Sequence, residues 1–212
     1  MRSLRTLIIA AAGVLALAGT AAAQNPLHNF QVKLGVSGVL PDTSATISTI
    51  GGGVDISDEY VPTLQVEYFF NENVSAELLC CMATHDVKAV GTVLGDVDLG
   101  KITHFPPTVT LKYHWTDFGA WKPYVGAGVN YTHFFNDELP AGGPVTAISY
   151  DDSWGGALQA GLDYQIDDHW SLNVDVRKIW ISTDVTVVAG PTIDASVDIN
   201  PVIVTIGSGY RF

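Results

Sequence analysis

Charged side chains recur at alternating positions along this chain, and their pattern favours ion pairing over catalysis. The charged members of these alternating segments are Lys33, Glu67, Glu77, Lys112, Lys122, Asp163, Asp175, Arg177 and Arg211. In β-strands, every second side chain lies on one face, so strands would gather these groups on a shared face. Buried charges are tolerated only when they are paired and hydrogen-bonded. We therefore expect a structural network of ion pairs, with a selective polar constriction as the alternative.

Two smaller groups of residues suit other chemistry. His85, Asp86 and His104 would lie at the ends of neighbouring strands, where a metal ion or an acid–base pair is conceivable, but solvated loop residues are the simpler interpretation. Cys80 and Cys81 are adjacent, so a strand would point them to opposite faces. We expect two unpaired, packed thiols and no metal site.

Glycines occupy part of the same polar face. Gly126 and Gly128 leave room for a ligand or a large side chain, or they merely relieve crowding, and both interpretations remain open. They are not a nucleotide-binding motif, because the third glycine and a βαβ context are missing. No nucleophile stands with a base and an orienting carboxylate, so we predict no enzymatic activity and no cofactor.

The elements that would position these residues are strands, because apolar residues recur with period two and not with helical spacing. Eight segments show this alternation, over residues 30–36, 64–70, 73–82, 108–115, 123–135, 153–166, 170–177 and 202–212. Short connections near residues 71–73, 117–119 and 167–169 alternate with long ones over 41–59, 83–102, 136–152 and 182–198. An even number of strands with short turns at one end and long loops at the other is typical of bacterial outer-membrane barrels.

The charges and the aromatic residues decide which face of the strands is outside. Of the 22 acidic residues, 14 fall in the long connections and none on the apolar face, and Lys178 is the one basic residue there. Aromatic residues cluster at both strand ends on or near the apolar parity, as in the two interfacial girdles of a membrane barrel. A soluble lipocalin-like barrel, which would hold its apolar face inside, is the alternative. We predict an all-β, eight-stranded antiparallel transmembrane barrel of the outer-membrane type, with short periplasmic turns and four long external loops.

The first residues indicate export. Arg2 and Arg5 precede an apolar run that ends in small residues before Gln24, which is typical of a cleaved signal peptide. We assign residues 1–23 to this peptide and residues 24–212 to a single barrel domain in the outer membrane of a Gram-negative cell. The net charge of −12 makes nucleic acid an improbable partner. Lipid and lipopolysaccharide are the expected surroundings, and the sequence leaves the oligomeric state open.

Several motifs resemble the outer membrane protein W (OmpW) family. The most specific is residues 106–111 (PPTVTL) followed by residues 123–132 (PYVGAGVNYT), and residues 73–79, 152–155 and 209–212 add weaker matches. The resemblance implies an eight-stranded barrel whose narrow, partly apolar lumen passes small hydrophobic molecules and releases them sideways into the membrane. It also implies that a lumen-facing Leu and Trp close this path. Leu79 matches the Leu, whereas Arg177 stands at the Trp position.

These residues and the resemblance give two hypotheses for function. The first is a narrow channel or uptake protein for a small hydrophobic solute, with a constriction formed by lumen-facing residues. The residues assigned to this constriction are Leu79, Arg177, Glu67, Glu77, Lys112, Asp163, Asp175, Gly126 and Gly128. The second hypothesis is a closed structural or surface-interaction barrel whose external loops bind a partner, which the balanced interior charges and Arg177 favour.

Overall fold

The computed structural model describes residues 28–47, 51–93, 95–139, 142–143 and 145–212, and the backbone only at 136 and 137. The predicted signal peptide lies outside these residues. All regular elements in the described part are strands, and none of its residues form a helix long and apolar enough to cross a membrane. The strands are β1 (Phe30–Leu40), β2 (Ser44–Ile47), β3 (Gly53–Ile56), β4 (Glu59–Phe69), β5 (Val74–Cys80), β6 (Ala83–Thr92), β7 (Gly95–Phe105), β8 (Thr108–His114), β9 (Trp121–Glu138), β10 (Ala147–Tyr150), β11 (Ser153–Gln165), β12 (Trp170–Ile179), β13 (Ser182–Val188), β14 (Thr192–Asp198) and β15 (Val202–Arg211).

Eight of these strands form a closed antiparallel barrel, which confirms the predicted fold. Their order around the barrel is β1, β4, β5, β8, β9, β11, β12 and β15, and β15 pairs back to β1. The β4–β5, β8–β9 and β11–β12 hairpins close through short connections at the end that we assign to the periplasm. The barrel therefore has no free edge in its membrane-crossing part, as a β-structure in lipid requires.

The apolar face of the strands points outward, as the positions of the charged residues in the sequence indicated. Leu64 is 39% exposed, whereas its neighbour Gln65 is only 2% exposed. The same contrast holds around the barrel, where outward Leu34, Val129 and Ile206 are among the exposed residues. A soluble barrel would bury these side chains, so the outward face is the surface that meets hydrocarbon.

Aromatic contacts mark both rims of this apolar band. At the periplasmic rim, the rings of Trp170 and Tyr210 lie 5.1 Å apart, and Tyr113 lies 5.3 Å from Trp115. At the external rim, Tyr131 and Trp154 are 4.8 Å apart. Such belts hold amphipathic rings at the level of the lipid headgroups.

The four long external connections predicted from the sequence are present, and each contains strands of its own. The β6–β7 hairpin continues β5 and β8 outward, β3 pairs with β6, and β7 pairs with the upper part of β9. A second sheet in the order β10, β13, β14 and β2 covers the other side of the external end. These strands extend the barrel wall beyond the membrane.

The external strands form because the hydropathy pattern is inverted beyond the membrane boundary. In β5, the inward Glu77 is polar, but beyond Cys81 the inward residues are mainly apolar and the outward ones polar, as at Val87 and Lys88. Outside the membrane, water surrounds the strands, so the apolar side chains turn inward. The alternation of side chains continues with a period of two, but the apolar residues now face inward and the polar residues face outward.

Candidate functional site

The periplasmic half of the lumen is filled by charged side chains that pair with one another. Lys112 Nζ lies 3.0 Å from a Glu67 oxygen and 2.8 Å from Glu77 Oε2. Lys33 Nζ adds ion pairs to Glu67 at 2.9 Å and to Asp163 at 3.1 Å. All five side chains are at most 7% exposed. We call Lys33, Glu67, Glu77, Lys112, Asp163, Asp175 and Arg177 the polar plug.

Arg177 completes the plug from the opposite side of the lumen. Its Nη2 donates to Glu77 Oε1 at 2.6 Å, and Asp175 Oδ1 lies 3.7 Å from the same nitrogen. Gln159 Nε2 bridges the two acids by donating to Glu77 at 2.9 Å and to Asp175 at 2.7 Å. The ion pairs expected from the sequence are therefore present, and they join strands β5 and β12 across the bore.

Tyr124 lies at the centre of the polar plug and contacts it, although it was not among the residues predicted for the site. Its hydroxyl donates to Asp175 Oδ2 at 2.9 Å and accepts from Asn173 Nδ2 at 3.0 Å. The Lys112 ammonium lies 3.8 Å from the centre of its ring, which is cation–π geometry. The signal that could have found it is parity, because Tyr124 has the inward parity of strand β9.

Two basic residues expected on the polar face lie outside the plug. Lys122 Nζ donates to the carbonyl of Thr116 at 2.9 Å, and the Arg211 guanidinium lies 4.0 Å from the centre of the Phe69 ring. Both border a cavity of about 850 Å³ at the periplasmic mouth, which His114 and Asp163 also line. The plug therefore forms the outer end of a polar vestibule.

The glycines of β9 do not form a ligand groove. A Cβ at Gly126 would lie 3.0 Å from Lys112 Cγ and 3.3 Å from Gln159 Oε1, so plug side chains fill the space above it. A Cβ at Gly128 would collide with the carbonyl oxygen of Val109 on β8. Gly128 therefore permits close strand approach, and Gly126 gives room to Lys112. The space beside Gly126 is therefore taken by large side chains, and no room for a ligand remains at either glycine.

Above the plug, the lumen becomes apolar. Leu79, which is 1% exposed, packs in a buried cluster with residues from the barrel and from the external strands. We call this set the external cluster; its members are Val39, Val61, Leu79, Cys81, Ala83, Val87, Ile102, Phe134, Val145, Ile148, Ala157, Ile179, Ile181, Val185, Val187, Ile193, Val197, Ile199 and Ile203. The sites assigned to a constriction therefore divide between two layers: Leu79 belongs to the apolar layer and Arg177 to the polar one.

His85 and His104 lie within this apolar layer. Their rings stack at 5.0 Å, and His85 Nδ1 lies 2.6 Å from the Ser57 carbonyl oxygen. The expectation of solvated loop residues is wrong, because both side chains are buried. Burial and the neighbouring His85 lower the pKa of His104 to about 3. Asp86 points outward to Lys101, and the described residues contain no cluster suited to a metal ion.

The barrel wall is interrupted beside the external cluster. The β5–β8 ladder ends at the pair Leu79 and Thr108, and the β6–β7 ladder begins at Ala83 and His104. Toward β4, the last pair is Leu64 with Cys80, and pairing resumes where Ser57 N donates to Asp86 O at 3.1 Å. In the described part of the chain, the backbone of residues 81–82 therefore bonds to neither neighbouring strand. We call this interruption the wall seam.

Two prolines and one asparagine shape the other side of the seam. Pro106 and Pro107 supply no N–H groups, so β8 cannot continue its ladder there. Asn130 Nδ2 donates to their carbonyls at 3.2 and 3.3 Å, and the Pro107 carbonyl also accepts from Tyr131 N at 3.1 Å, so both carbonyls are bonded from β9. At the seam, Cys81 points inward and is buried, whereas Met82 points outward and is 60% exposed.

The two cysteines, and one histidine at the external rim, are further reactive groups in the described residues. Cys80 and Cys81 are free thiols on opposite faces, as expected. At the external rim, Asp152 accepts from the Tyr131 hydroxyl at 2.6 Å and lies 2.7 Å from His133 Nδ1. This histidine and carboxylate have the spacing of an acid–base pair, but no hydroxyl or thiol nucleophile contacts His133 among the described residues.

Comparison with known proteins supports the same architecture. The OmpW family profile matches residues 28–212. Outer membrane protein W of Vibrio cholerae is 34% identical over 87% of this chain and 88% of that protein. The dibenzothiophene metabolism operon protein PahQ of Pseudomonas aeruginosa is 32% identical over 85% of this chain and 87% of its own length. The crystal structure of the outer membrane protein OprG from Pseudomonas aeruginosa superposes with a TM-score of 0.80, at 28% identity over 86% of this chain and 95% of OprG. This protein is therefore an outer-membrane β-barrel.

Proposed function

The chain belongs to the OmpW family, and on that premise we propose that it takes up small hydrophobic molecules from the cell exterior and delivers them into the outer membrane. The observation that carries this proposal is the change of lumen chemistry at Leu79. Above this residue, the buried inward side chains are mainly apolar, and below it they form a paired, charged plug.

The polar plug makes the periplasmic route unfavourable for such a solute. An apolar molecule that crossed it would separate buried ion pairs such as Arg177 with Glu77, and an unpaired buried charge is costly. An eight-stranded barrel is also just wide enough for side chains to fill it. A solute held in the external cluster would therefore leave more easily through the wall.

The wall seam offers that lateral exit. Residues 81–82 belong to no ladder, so a gap there breaks fewer backbone hydrogen bonds than a gap elsewhere in the barrel. Cys81 belongs to the external cluster and Met82 is exposed on the outer face of the wall, so both ends of this route are apolar. One relative at 32% identity is named for a dibenzothiophene metabolism operon, and dibenzothiophene is an apolar aromatic molecule.

Uptake of dibenzothiophene by whole cells tests the proposal. Cells of a Gram-negative host that produce the protein should accumulate this solute faster than cells without it. Leu79→Gln places a polar amide in the apolar layer and should lower the gain in rate roughly severalfold. Leu139→Gln, the same change at an exposed external position, should leave the gain unchanged.

Assembly of each variant is verified by its heat-modifiable migration in gel electrophoresis, so a loss of uptake is not mistaken for a loss of the barrel. If cells with and without the protein take up the solute equally, the uptake proposal fails. That result would favour the second hypothesis, a closed barrel that acts through its external strands, for which the continuous plug is the supporting observation.

A further inference from the structure

Three hydrogen-bond donors at the boundary between the two layers have no acceptor among the described residues. They are Gln65 Nε2, Arg177 Nε and Arg177 Nη1. Both side chains are almost completely buried, with 2% exposure for Gln65 and 1% for Arg177. Buried donors normally find partners, because an unsatisfied one carries the full cost of its desolvation.

The register of the strands places these donors next to the apolar layer. Gln65 is the ladder partner of Leu79, and Arg177 is the ladder partner of Ile203; both partners belong to the external cluster. The next inward residue on β12 after Arg177 is Ile179, which is fully buried in the same cluster. A molecule seated in the cluster would thus meet these N–H groups at its inner end.

The bonds that Arg177 already makes show which of its atoms are available. Its Nη2 donates to Glu77, which holds the guanidinium in place. Its other two nitrogens carry the unpaired donors. A rigid planar fork that is anchored at one nitrogen offers its remaining N–H groups at low entropic cost.

We propose that the solute is a hydrophobic molecule that carries one uncharged oxygen acceptor, such as a ketone, ester or alcohol, and that Gln65 and Arg177 bind this oxygen. This proposal rests on the proposed uptake function and specifies which solutes bind most tightly. A solute without such an oxygen, dibenzothiophene included, should still enter the external cluster but bind less tightly. The free nitrogens of Arg177 can only donate, so they select an acceptor. A pure hydrocarbon would leave them unsatisfied.

The charges of the plug favour a neutral acceptor over a carboxylate. The plug contains four carboxylates, from Glu67, Glu77, Asp163 and Asp175, against three cations, from Lys33, Lys112 and Arg177. A ligand carboxylate would add a fifth negative group in a buried site, and like charges there are costly. A carbonyl or hydroxyl oxygen accepts the same hydrogen bonds without this penalty.

Nuclear magnetic resonance of the folded barrel in lipid nanodiscs tests the proposal with three matched probes: 2-nonanone, nonane and nonanoate. The Leu79 methyl resonances report occupation of the external cluster by any of them. The side-chain signals of the Gln65 amide and the Arg177 Nε–H report contact with an oxygen. We expect 2-nonanone to shift both sets and to bind about tenfold more tightly than nonane, which should shift only the methyl signals.

Two variants and one control complete the experiment. Gln65→Leu removes one set of donors, and Arg177→Lys keeps the charge for Glu77 but removes the guanidinium fork. Each should reduce the preference for 2-nonanone over nonane, and binding of nonane should remain. Gln31→Leu is the same change at an inward residue of the periplasmic mouth, whose amide already donates to Ser171 at 2.8 Å, and it should keep the preference.

Each result has a definite meaning. If all three probes leave Leu79 unshifted, the uptake function itself is wrong. If nonane and 2-nonanone shift Leu79 equally and bind equally, the uptake function stands and the acceptor proposal is overturned. Tighter binding of nonanoate than of 2-nonanone would also overturn it, because the site would then select an anion.

Discussion

Arg177 reaches across the lumen from β12 and donates to Glu77 on β5, with 2.6 Å between Nη2 and Oε1. This one contact separates the two layers of the lumen. On the periplasmic side, Glu77 also binds Lys112, and on the external side the next inward residues are Leu79 and Ile179. The lumen is therefore filled by paired charged side chains on the periplasmic side of this pair and by apolar side chains on the external side.

Loss of the Glu77 carboxylate should destabilise the barrel strongly. Glu77→Ala removes the shared acceptor of Lys112, Arg177 and Gln159, and it leaves buried cations with fewer partners. The free energy of unfolding should fall by about 3–5 kcal/mol. Urea unfolding in lipid vesicles measures this change. Glu72→Ala, at an exposed turn residue, serves as the control, and an equally small effect of both changes would contradict the plug.

An arginine on the lipid face should impair assembly more than one on the inner face. Leu64→Arg places a charge in the apolar band, which costs about 2–4 kcal/mol near the membrane midplane. Gln31→Arg points into the polar vestibule, where water reaches the new charge. The fraction of heat-modifiable, folded barrel should drop for Leu64→Arg only. Equal yields of both variants would argue against the outward assignment of the apolar face.

The β6–β7 hairpin should lose stability in acid. An unfolded histidine has a pKa of about 6.5, whereas burial holds the pKa of His104 in the fold at about 3. As the pH falls between these values, the unfolded hairpin binds the proton and the folded one does not. Protonation therefore favours opening, by about 2 kcal/mol at pH 5.

Hydrogen exchange of the β6–β7 amides, corrected for intrinsic rates, measures this effect between pH 7.5 and 5. His104→Leu should make the hairpin less sensitive to acid. Some sensitivity should remain, because burial also lowers the pKa of His85. His28→Leu, an exposed position, is the control. Protection that is the same at both pH values in the unmodified protein would show that His104 is not held neutral by the fold.

Asn130 should stabilise the barrel next to the wall seam. Asn130→Asp keeps the size of the side chain but removes the amide that donates to the carbonyls of Pro106 and Pro107. The expected loss of stability is about 1–3 kcal/mol. Exchange should increase first at the Tyr131 amide, which bonds to Pro107 O. Asn29→Asp is the matched control at an exposed residue, and unchanged exchange at Tyr131 would refute the role of Asn130.

The membrane barrel could be predicted from the sequence because each strand repeats a strict outward and inward pattern. Leu64 and Gln65 fall on the predicted faces, and the alternating charges led directly to the ion pairs of Glu67 and Glu77. Lys178, the one charge of the outward face, reaches Asn200 O at 2.6 Å and Asp42 at 3.2 Å beyond the strand end. The face on which each of these side chains lies follows from the local alternation, so it can be predicted from a single sequence.

The external strands and the role of Tyr124 could not be predicted in the same way. In strands such as β6, water replaces lipid outside, so apolar residues turn inward and the segment resembles a polar loop. Tyr124 has the inward parity of β9, but its bonds to Asp175 and Asn173 join strands that are distant in sequence, so its face could be predicted and its role could not. The stacking of His85 on His104 depends on pairing between β6 and β7, which sequence spacing does not reveal.

We propose that the lumen accepts a hydrophobic molecule above the Arg177 and Glu77 pair and excludes it below. The most direct test is a crystal structure of the barrel soaked with a brominated alkyl ketone, in which anomalous scattering locates the bromine. Bromine density should lie beside Leu79 or at the wall seam, with the plug intact. Density in the vestibule at the periplasmic mouth, reached through separated plug side chains, would contradict it.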